Sequence, residues 1–216
     1  MSRAGGLARE SILDSAERHF ALHGVENASL RDIAVDAGQR NNSAVAYHFG
    51  DRAGLAAAVF SRSMSVINDA RKDQLAVLES DGADSVEALV DILVSPLARH
   101  VASSEGWYGR FLARNRADRI AREVRGGLPE SDIVREVLVR LSRQMEVPSR
   151  VSTSRLDHVM NHYTAALAGW EWARDRGEPR MSADELRTDL VATSSGLLTA
   201  PVVASTNRKL MRQGST

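Results

Sequence analysis

The chain has 216 residues, of which 43% are hydrophobic and 26% are charged. These proportions are typical of a soluble globular protein with a hydrophobic core. No run approaches the roughly 18 consecutive apolar residues of a membrane span, and the first ten residues lack the apolar stretch of a secretion signal. Cysteine is absent, which excludes disulfides and thiolate metal sites. We therefore expect a cytoplasmic protein without a membrane segment.

The formal net charge is zero, so the bulk charge does not indicate a nucleic-acid partner. The first 60 residues hold six Arg, no Lys and seven Asp or Glu. Any argument for DNA binding must therefore depend on where individual residues lie.

Apolar residues recur at helical spacing along the whole chain, and short alternating runs typical of strands are missing. The sequence therefore predicts an all-α fold of about nine helices. They are expected over about residues 7–23, 29–37, 42–48, 52–78, 85–102, 105–125, 131–145, 152–176 and 183–210.

The first three predicted helices are short, and the Ala37-Gly38 turn separates the second from the third. This arrangement is typical of a helix-turn-helix module, whose third helix enters the major groove of DNA. The residues before and within that helix, 39–46, are small and rich in amide and hydroxyl groups. Asn and Gln can pair with adenine, and Arg with guanine. The candidate base-contacting residues are Arg40, Asn41, Asn42 and Ser43.

The same segment carries a longer motif at fixed spacing. It consists, in order, of Ile12-Leu13-Asp14-Ser15-Ala16, Phe20, Gly24, Ser29-Leu30-Arg31-Asp32-Ile33-Ala34, Ala37-Gly38 and Tyr47-His48-Phe49. This motif resembles the N-terminal signature of the tetracycline-repressor (TetR) family over roughly residues 9–59. The Tyr-His-Phe triplet is its most distinctive part.

The resemblance implies a transcriptional regulator and not an enzyme. Residues 1–50 would form the DNA-binding domain, and residues 51–216 a helical domain for ligand binding and dimerisation. The expected partners are a palindromic double-stranded DNA operator, a second copy of the chain and an unknown small-molecule effector. The resemblance therefore favours a repressor that its effector releases from DNA, although the sequence does not exclude an activator or a repressor without any ligand.

Individual roles follow by position in the motif. Tyr47 and His48 would contact DNA phosphates, as would Arg52 at the start of the fourth helix and Ser29 at the start of the second. Phe49 would belong to the core. The helices predicted over 152–176 and 183–210 would pair with their mates in the dimer, and their apolar Leu167 and small residues are compatible with close helix approach.

Two positions depart from the family pattern. Eight residues, 39–46, separate the Ala-Gly turn from the triplet where the family commonly has seven, which shifts the base contacts by up to one position. The second departure is Arg52, where the family often has lysine. Simpler interpretations also stand: Tyr47 and His48 as half-buried helix residues, and Asn41-Asn42 as part of a turn.

Aromatic and thioether side chains of the second domain are candidates for the ligand pocket, namely Trp107, Phe111, Met160 and Tyr163. At helical spacing such residues equally form plain core or dimer interface. An arginine cluster between residues 110 and 125 could hold an acidic ligand such as an acyl-CoA pyrophosphate, but we favour a solvated face paired with Asp118 and Glu123.

No other class of function has comparable support. His158 and His162 share a helix face at i, i+4, but no acidic partner lies at a convincing spacing, so we expect no metal and no cofactor. Paired Glu-x-x-His motifs, a phosphate-binding glycine loop and a Gly-x-Ser-x-Gly elbow are all missing from the sequence. A helical interaction module without DNA is the remaining alternative.

Overall fold

A computed structural model of the chain describes residues 3–39, 43–82 and 84–202. All regular secondary structure in these ranges is helical, which confirms the all-α prediction. The helices are α1 (Arg3–His23), α2 (Leu30–Asp36), α3 (Ser43–Phe49), α4 (Arg52–Asp81), α5 (Val86–Ser103), α6 (Tyr108–Arg114), α7 (Arg119–Gly127), α8 (Asp132–Gln144), α9 (Ser149–Asp175) and α10 (Ala183–Thr199). A 3₁₀ turn at Pro129–Ser131 precedes α8. None of the helices in the described ranges is both long and apolar enough to cross a membrane.

Polar caps define the N-terminal module. The Ser29 hydroxyl accepts a hydrogen bond from the backbone N–H of Asp32 and begins α2. The Asp51 carboxylate does the same for Gly54 at the start of α4. Gly24, at φ +82°, ends α1 in the left-handed region that favours glycine. These local signals place the end of α1 and the starts of α2 and α4 as the sequence predicts.

The single helix expected over 105–125 is wrong, because the structure has two helices there. Asn115 ends α6, and the Asp118 carboxylate begins α7 by accepting a hydrogen bond from the backbone N–H of Ala121 at 2.9 Å. Asn and Asp side chains compete with helical hydrogen bonds in this way. The described residues therefore contain ten α-helices instead of nine, and residues 115–118 form a connector between α6 and α7.

One hydrophobic core runs through both parts of the chain. Phe111 of α6 is fully buried and lies against Phe20 of α1, at 6.3 Å between ring centroids, and Phe60 of α4, at 4.5 Å. Helix α6 packs between α1 and α9. The N-terminal module is therefore joined to the second domain by α4 and also by the packing of α6 against α1.

Helices α9 and α10 pack against each other and leave an outer face of small and apolar side chains. Leu167 is buried within its own chain, so it cannot contribute to that face. The exposed residues on the two helices include Ala165, Gly169, Trp172, Ala192, Gly196 and Leu197. A Cβ placed on either glycine would meet no atom within 4 Å.

Candidate nucleic-acid interface and internal cavity

Helix α3 turns one side to the core and the other to solvent. Val45 is 2% exposed, whereas Tyr47 is 83% exposed and His48 is half-buried. The Tyr47 and His48 rings meet edge-on, with centroids 5.0 Å apart, and Phe49 lies half-buried beneath the Arg9 guanidinium. The interpretation of Tyr47 as a half-buried helix residue is therefore wrong, and its phenol is accessible to a ligand.

Of the other residues predicted to contact DNA bases, or a DNA phosphate at the start of the second helix, Ser29 and Ser43 lie within the described residues. Ser43 is exposed at the first position of α3, and Ser29 is half-buried as the cap of α2. Arg40, Asn41 and Asn42 lie outside the described residues.

Arg52 has a structural contact of its own at the start of α4. Its Nη1 donates hydrogen bonds to the carbonyl oxygen of Val25, at 2.7 Å, and to that of Ala28. These bonds fix the loop between α1 and α2, residues 24–29, to α4. Both bonds use Nη1 of the guanidinium group.

The connector holds the same loop from the opposite side. The Asn115 side-chain oxygen accepts a hydrogen bond from the Val25 N–H at 2.7 Å, and its amide nitrogen donates to the carbonyl oxygens of Phe20 and Phe111 at 3.0 and 2.8 Å. The Asp118 carboxylate accepts from the Glu26 N–H at 2.9 Å. Asn115 is fully buried, so the loop that leads into the helix-turn-helix depends on it. Sequence reasoning missed Asn115, although an Asn-x-x-Asp pair within a predicted helix is a signal for a break.

The other end of α6 is held by α9. The Glu171 carboxylate accepts hydrogen bonds from the backbone N–H groups of Gly109 and Arg110, at 3.2 and 2.9 Å, and from Arg110 Nε at 3.0 Å. Burial raises the pKa of Glu171, and the hydrogen bonds from Arg110 and Gly109 oppose that shift. Arg110 also pairs with Asp175. Helix α6 is thus anchored at its start to α9 and at its end to the N-terminal module.

A second link between the two domains involves Glu17 of α1. Its carboxylate accepts from Arg62 Nη2 at 2.9 Å and from the Trp107 backbone N–H at 2.7 Å. The Trp107 ring lies under the Arg110 guanidinium, 3.6 Å from its centroid. Trp107 lines a cleft of about 620 Å³ that Asp14, Glu17 and Arg62 border with it.

The four predicted pocket residues do not meet in one place. Trp107 lines the cleft just described, and Phe111 lies in the core between α1 and α4. Met160 and Tyr163 line a separate cavity of about 310 Å³ inside the second domain. The Tyr163 hydroxyl donates to the Met160 sulfur at 2.9 Å.

This cavity has both apolar and basic walls. Its lining consists of Met64, Arg71, Leu97, Leu112, Arg116, Arg122, Arg125, Gly126, Glu130, Ser131, Val134, Arg135, Leu138, Met160, Tyr163 and Thr164. The predicted arginine cluster therefore divides. Arg119 pairs with Glu123 and Glu26 at the surface, as expected of a solvated face, whereas Arg116, Arg122 and Arg125 line the cavity.

The histidine pair belongs to a different surface. His158 is exposed, and His162 Nε2 lies 2.8 Å from the Thr193 hydroxyl of α10. Within the described ranges, no group of three or more His, Asp or Glu side chains is arranged to hold a metal ion.

Comparison with known proteins matches residues 12–59 to the family described as bacterial regulatory proteins, tetR family. The fold is similar to that of the fatty acid degradation regulator FadR from Bacillus halodurans, with 16% identity, a TM-score of 0.55 and coverage of 87% of this chain and 97% of that one. It is also similar to an alanine-substituted mutant of HlyIIR, with 17% identity, a TM-score of 0.52 and coverage of 93% and 99%. No curated protein matches the sequence significantly. These findings confirm the resemblance that the N-terminal motif carries.

Proposed function

We propose that this TetR-family DNA-binding transcriptional regulator is a homodimeric repressor, released from a palindromic operator by a small molecule bound in the cavity beside Met160 and Tyr163. The observation that carries the proposal is the geometry of α3. It exposes Ser43, Ala46 and Tyr47 while Val45 anchors it to the core, within the segment that matches the family. A regulator of a bacterial chromosome acts in the cytoplasm, where we place it.

The DNA contacts divide into two classes. Residues at and before the start of α3 would read base edges in the major groove, namely Arg40, Asn41, Asn42 and Ser43. Phosphate contacts would fix the register of that helix on the DNA without reading its sequence. The residues proposed to make them are Ser29, Tyr47, His48 and Arg52. Residues 1–50 form the DNA-binding domain in this proposal, and 51–216 the regulatory domain.

Dimerisation would use the outer face of α9 and α10. Small residues such as Gly169 and Gly196 allow two helices to approach closely, and Trp172 and Leu197 supply apolar area. A two-fold axis through this face would present two copies of α3 to DNA, which requires a nearly palindromic operator. Sedimentation of a monomer at micromolar concentration would contradict this step.

Release would pass through the connector. Arg116 and Arg125 line the cavity, and Arg125 donates to the carbonyl oxygens of Asn115 and Arg116 at 3.1 and 3.3 Å. The Asn115 side chain in turn holds Val25 in the loop before α2. A ligand that binds differently to two positions of the connector would shift the separation of the α3 helices.

Selection of genomic DNA fragments on the purified protein, followed by footprinting, tests the DNA-binding part. We expect one or a few fragments with an inverted repeat. Ala46→Glu places a negative charge on the exposed side of α3 and should abolish binding by repulsion from phosphate. Val77→Glu, at a position of α4 that is also exposed, should bind like the parent. Equal binding by both variants would show that α3 does not enter the groove.

The direction of regulation needs a separate measurement. A reporter gene placed behind the selected fragment should be expressed more strongly when the regulator is absent. Lower expression in its absence would identify an activator.

A further inference from the structure

The cavity beside Tyr163 has an unbalanced charge. Five of its lining residues are arginines, and Glu130 is its one carboxylate. Arg135 is paired with Asp132. Within the part of the chain that the structure describes, Glu130 forms no ion pair with any of the five arginines. The positive charge of the remaining four arginines is therefore not neutralised by a contacting carboxylate.

Arg71 is the deepest of them. It is 1% exposed, and its hydrogen bonds go to neutral acceptors, the Asn68 side-chain oxygen at 2.9 Å and the Leu93 carbonyl oxygen at 2.8 Å. Its Nε is buried without a partner. Burial lowers the pKa of Arg71, and the nearby phenols of Tyr163 and Tyr108 oppose that shift. Burial of a cation without a counter-anion is energetically costly. An anion bound in the cavity beside Arg71 would offset that cost.

Arg116 and Arg125 bring two more cations to the same place. Arg116 Nε donates to the Asn161 side-chain oxygen at 2.9 Å, and Arg125 donates to carbonyl oxygens of the connector, so both again have neutral acceptors. Burial and the positive charge of Arg116 both lower the pKa of Arg125. Arg71, Arg116 and Arg125 all lie close enough to Tyr163 to influence the pKa of its phenol. These three arginines and Tyr163 line the same cavity, so three guanidinium-bearing side chains border one space.

The wall also has apolar side chains, and the space is small. Leu97, Leu112, Val134, Leu138 and Met160 line it. The volume of about 310 Å³ lies at the lower end of the range for ligand pockets. A molecule that fills this space needs a compact hydrocarbon body as well as an anionic group.

We propose that the cavity binds a small amphipathic carboxylate, with its head group on Arg71, Arg116 and Arg125 and its hydrocarbon body against the leucines and Met160. A carboxylate matches the planar fork of a guanidinium and carries a single charge into a largely apolar space. The inference deepens the proposed function, because this ligand would occupy the same site as the effector.

Calorimetry on the full-length protein without DNA tests the ligand class directly. The probes are straight-chain carboxylates from butanoate to decanoate, with octanamide as the neutral match for octanoate and sulfate as an anion without a hydrocarbon body. We expect the affinity to pass through a maximum at one chain length within the series. Octanamide and sulfate should each bind at least about tenfold more weakly than octanoate, because hydrogen bonds to charged groups are the strong ones. No binding by any carboxylate, or equal binding of octanamide or sulfate, would overturn the proposal.

Three variants locate the site. Arg125→Gln and Arg116→Gln should each lower the affinity for octanoate at least about tenfold. Arg119→Gln is a matched change on α7, at a residue that is paired outside the cavity, and it should leave that affinity unchanged. Arg71→Gln risks the fold, so the test does not depend on it. Glu130→Gln should strengthen octanoate, because it removes the one negative charge from the lining. Equal weakening by Arg119→Gln and Arg125→Gln would place the anion elsewhere.

This test separates the ligand class from the proposed function. Octanoate binding that follows the expected pattern, without any effect on the DNA complex, would support the ligand class and contradict release by it. A protein that binds the operator but none of the carboxylates would support DNA binding and overturn the ligand class.

Discussion

The Asn115 side chain accepts a hydrogen bond from the Val25 backbone N–H at 2.7 Å, across 90 positions of the sequence. Asn115 belongs to the connector, and Val25 to the loop that leads into α2. Arg125, on the cavity wall, donates to the carbonyl oxygen of the same asparagine. One residue therefore joins the wall of the cavity to the helix-turn-helix.

Replacement of Asn115 tests how much the domain junction depends on it. Asn115→Ala leaves the buried Val25 N–H without its partner, whereas the Phe20 and Phe111 carbonyl oxygens keep backbone donors at Gly24 and residue 115. A buried donor without a partner costs about 1–3 kcal/mol. We expect the free energy of unfolding, measured in urea, to fall by about 1–3 kcal/mol. Asn27→Ala, at an exposed asparagine of the loop 24–29, should change it by less than about 0.5 kcal/mol. Similar small losses for both variants would mean that water or neighbouring groups replace the Asn115 contacts.

Much of the N-terminal module can be predicted from sequence because its signals are local. The Ser29 and Asp51 caps act within three residues, and Val45 and Phe20 follow helical spacing. The break at Asn115 was missed because helical spacing continues across residues 105–125 and outweighs the one local signal, the Asp118 cap. The Asn115 contacts themselves could not be predicted, since the groups that hold its side chain lie partly in α1.

The pocket was harder to predict for a related reason. Trp107, Phe111 and Met160 look alike in the sequence, as large apolar residues on helices, and only tertiary packing places them in a cleft, the core and the cavity. Arg71 is followed by Lys72 and Asp73, which suggests a solvated turn of helix, yet it is among the most deeply buried side chains. Such burial depends on acceptors from another helix, here the Leu93 carbonyl of α5.

Arg52 has an observed role in the fold and a proposed role in DNA binding, and different substitutions can separate the two. Arg52→Ala removes the donor to the Val25 and Ala28 carbonyl oxygens and should lower the free energy of unfolding by about 1–3 kcal/mol. It should also flatten the salt dependence of DNA binding by about one unit, if a phosphate contact is lost. Arg52→Lys keeps the charge, so the salt slope should hold while part of the stability is lost. An unchanged slope in Arg52→Ala would assign Arg52 to the fold alone.

The burial of His100 leads us to expect that the folded protein loses stability in mild acid. Burial lowers its pKa from the ordinary value of 6.5; nearby Glu17 opposes the shift and Arg62 adds to it. The unfolded chain therefore binds this proton more readily than the folded protein. The stability from the neutral imidazole is fully present above pH 6.5 and is lost as the pH falls through the lower, folded-state pKa.

The measurement compares the pH dependence of unfolding in two variants. His100→Gln should reduce the slope of the unfolding free energy below pH 6.5 by up to about 1.4 kcal/mol per pH unit. His23→Gln, at an exposed histidine of α1, should retain the slope of the parent. A parent slope that persists in His100→Gln would assign the acid sensitivity to another group.

Tyr47 provides the sharpest separation of DNA binding from folding. Its side chain is 83% exposed, so Tyr47→Phe should leave the melting temperature unchanged. If the hydroxyl donates to a phosphate, the loss of a hydrogen bond to a charged group costs roughly 1.5–3 kcal/mol, and affinity should fall by about tenfold or more. Binding to operator and to random DNA should weaken by the same factor, because contacts with phosphates carry no sequence information. The salt slope should hold, since a neutral hydroxyl releases few counterions.

Tyr163→Phe is the matched control for this measurement, because it removes a phenol hydroxyl that is buried beside the cavity and bonded to the Met160 sulfur. It should change the melting temperature or the binding of octanoate and leave the affinity for DNA close to that of the parent. Gel shifts of both variants at two salt concentrations, with operator and random duplexes, measure the affinity, its salt slope and its dependence on sequence. Parent-like DNA binding by Tyr47→Phe would remove its hydroxyl from the interface. A selective loss on the operator alone would instead place that hydroxyl on a base edge, because only contacts with bases distinguish the two duplexes.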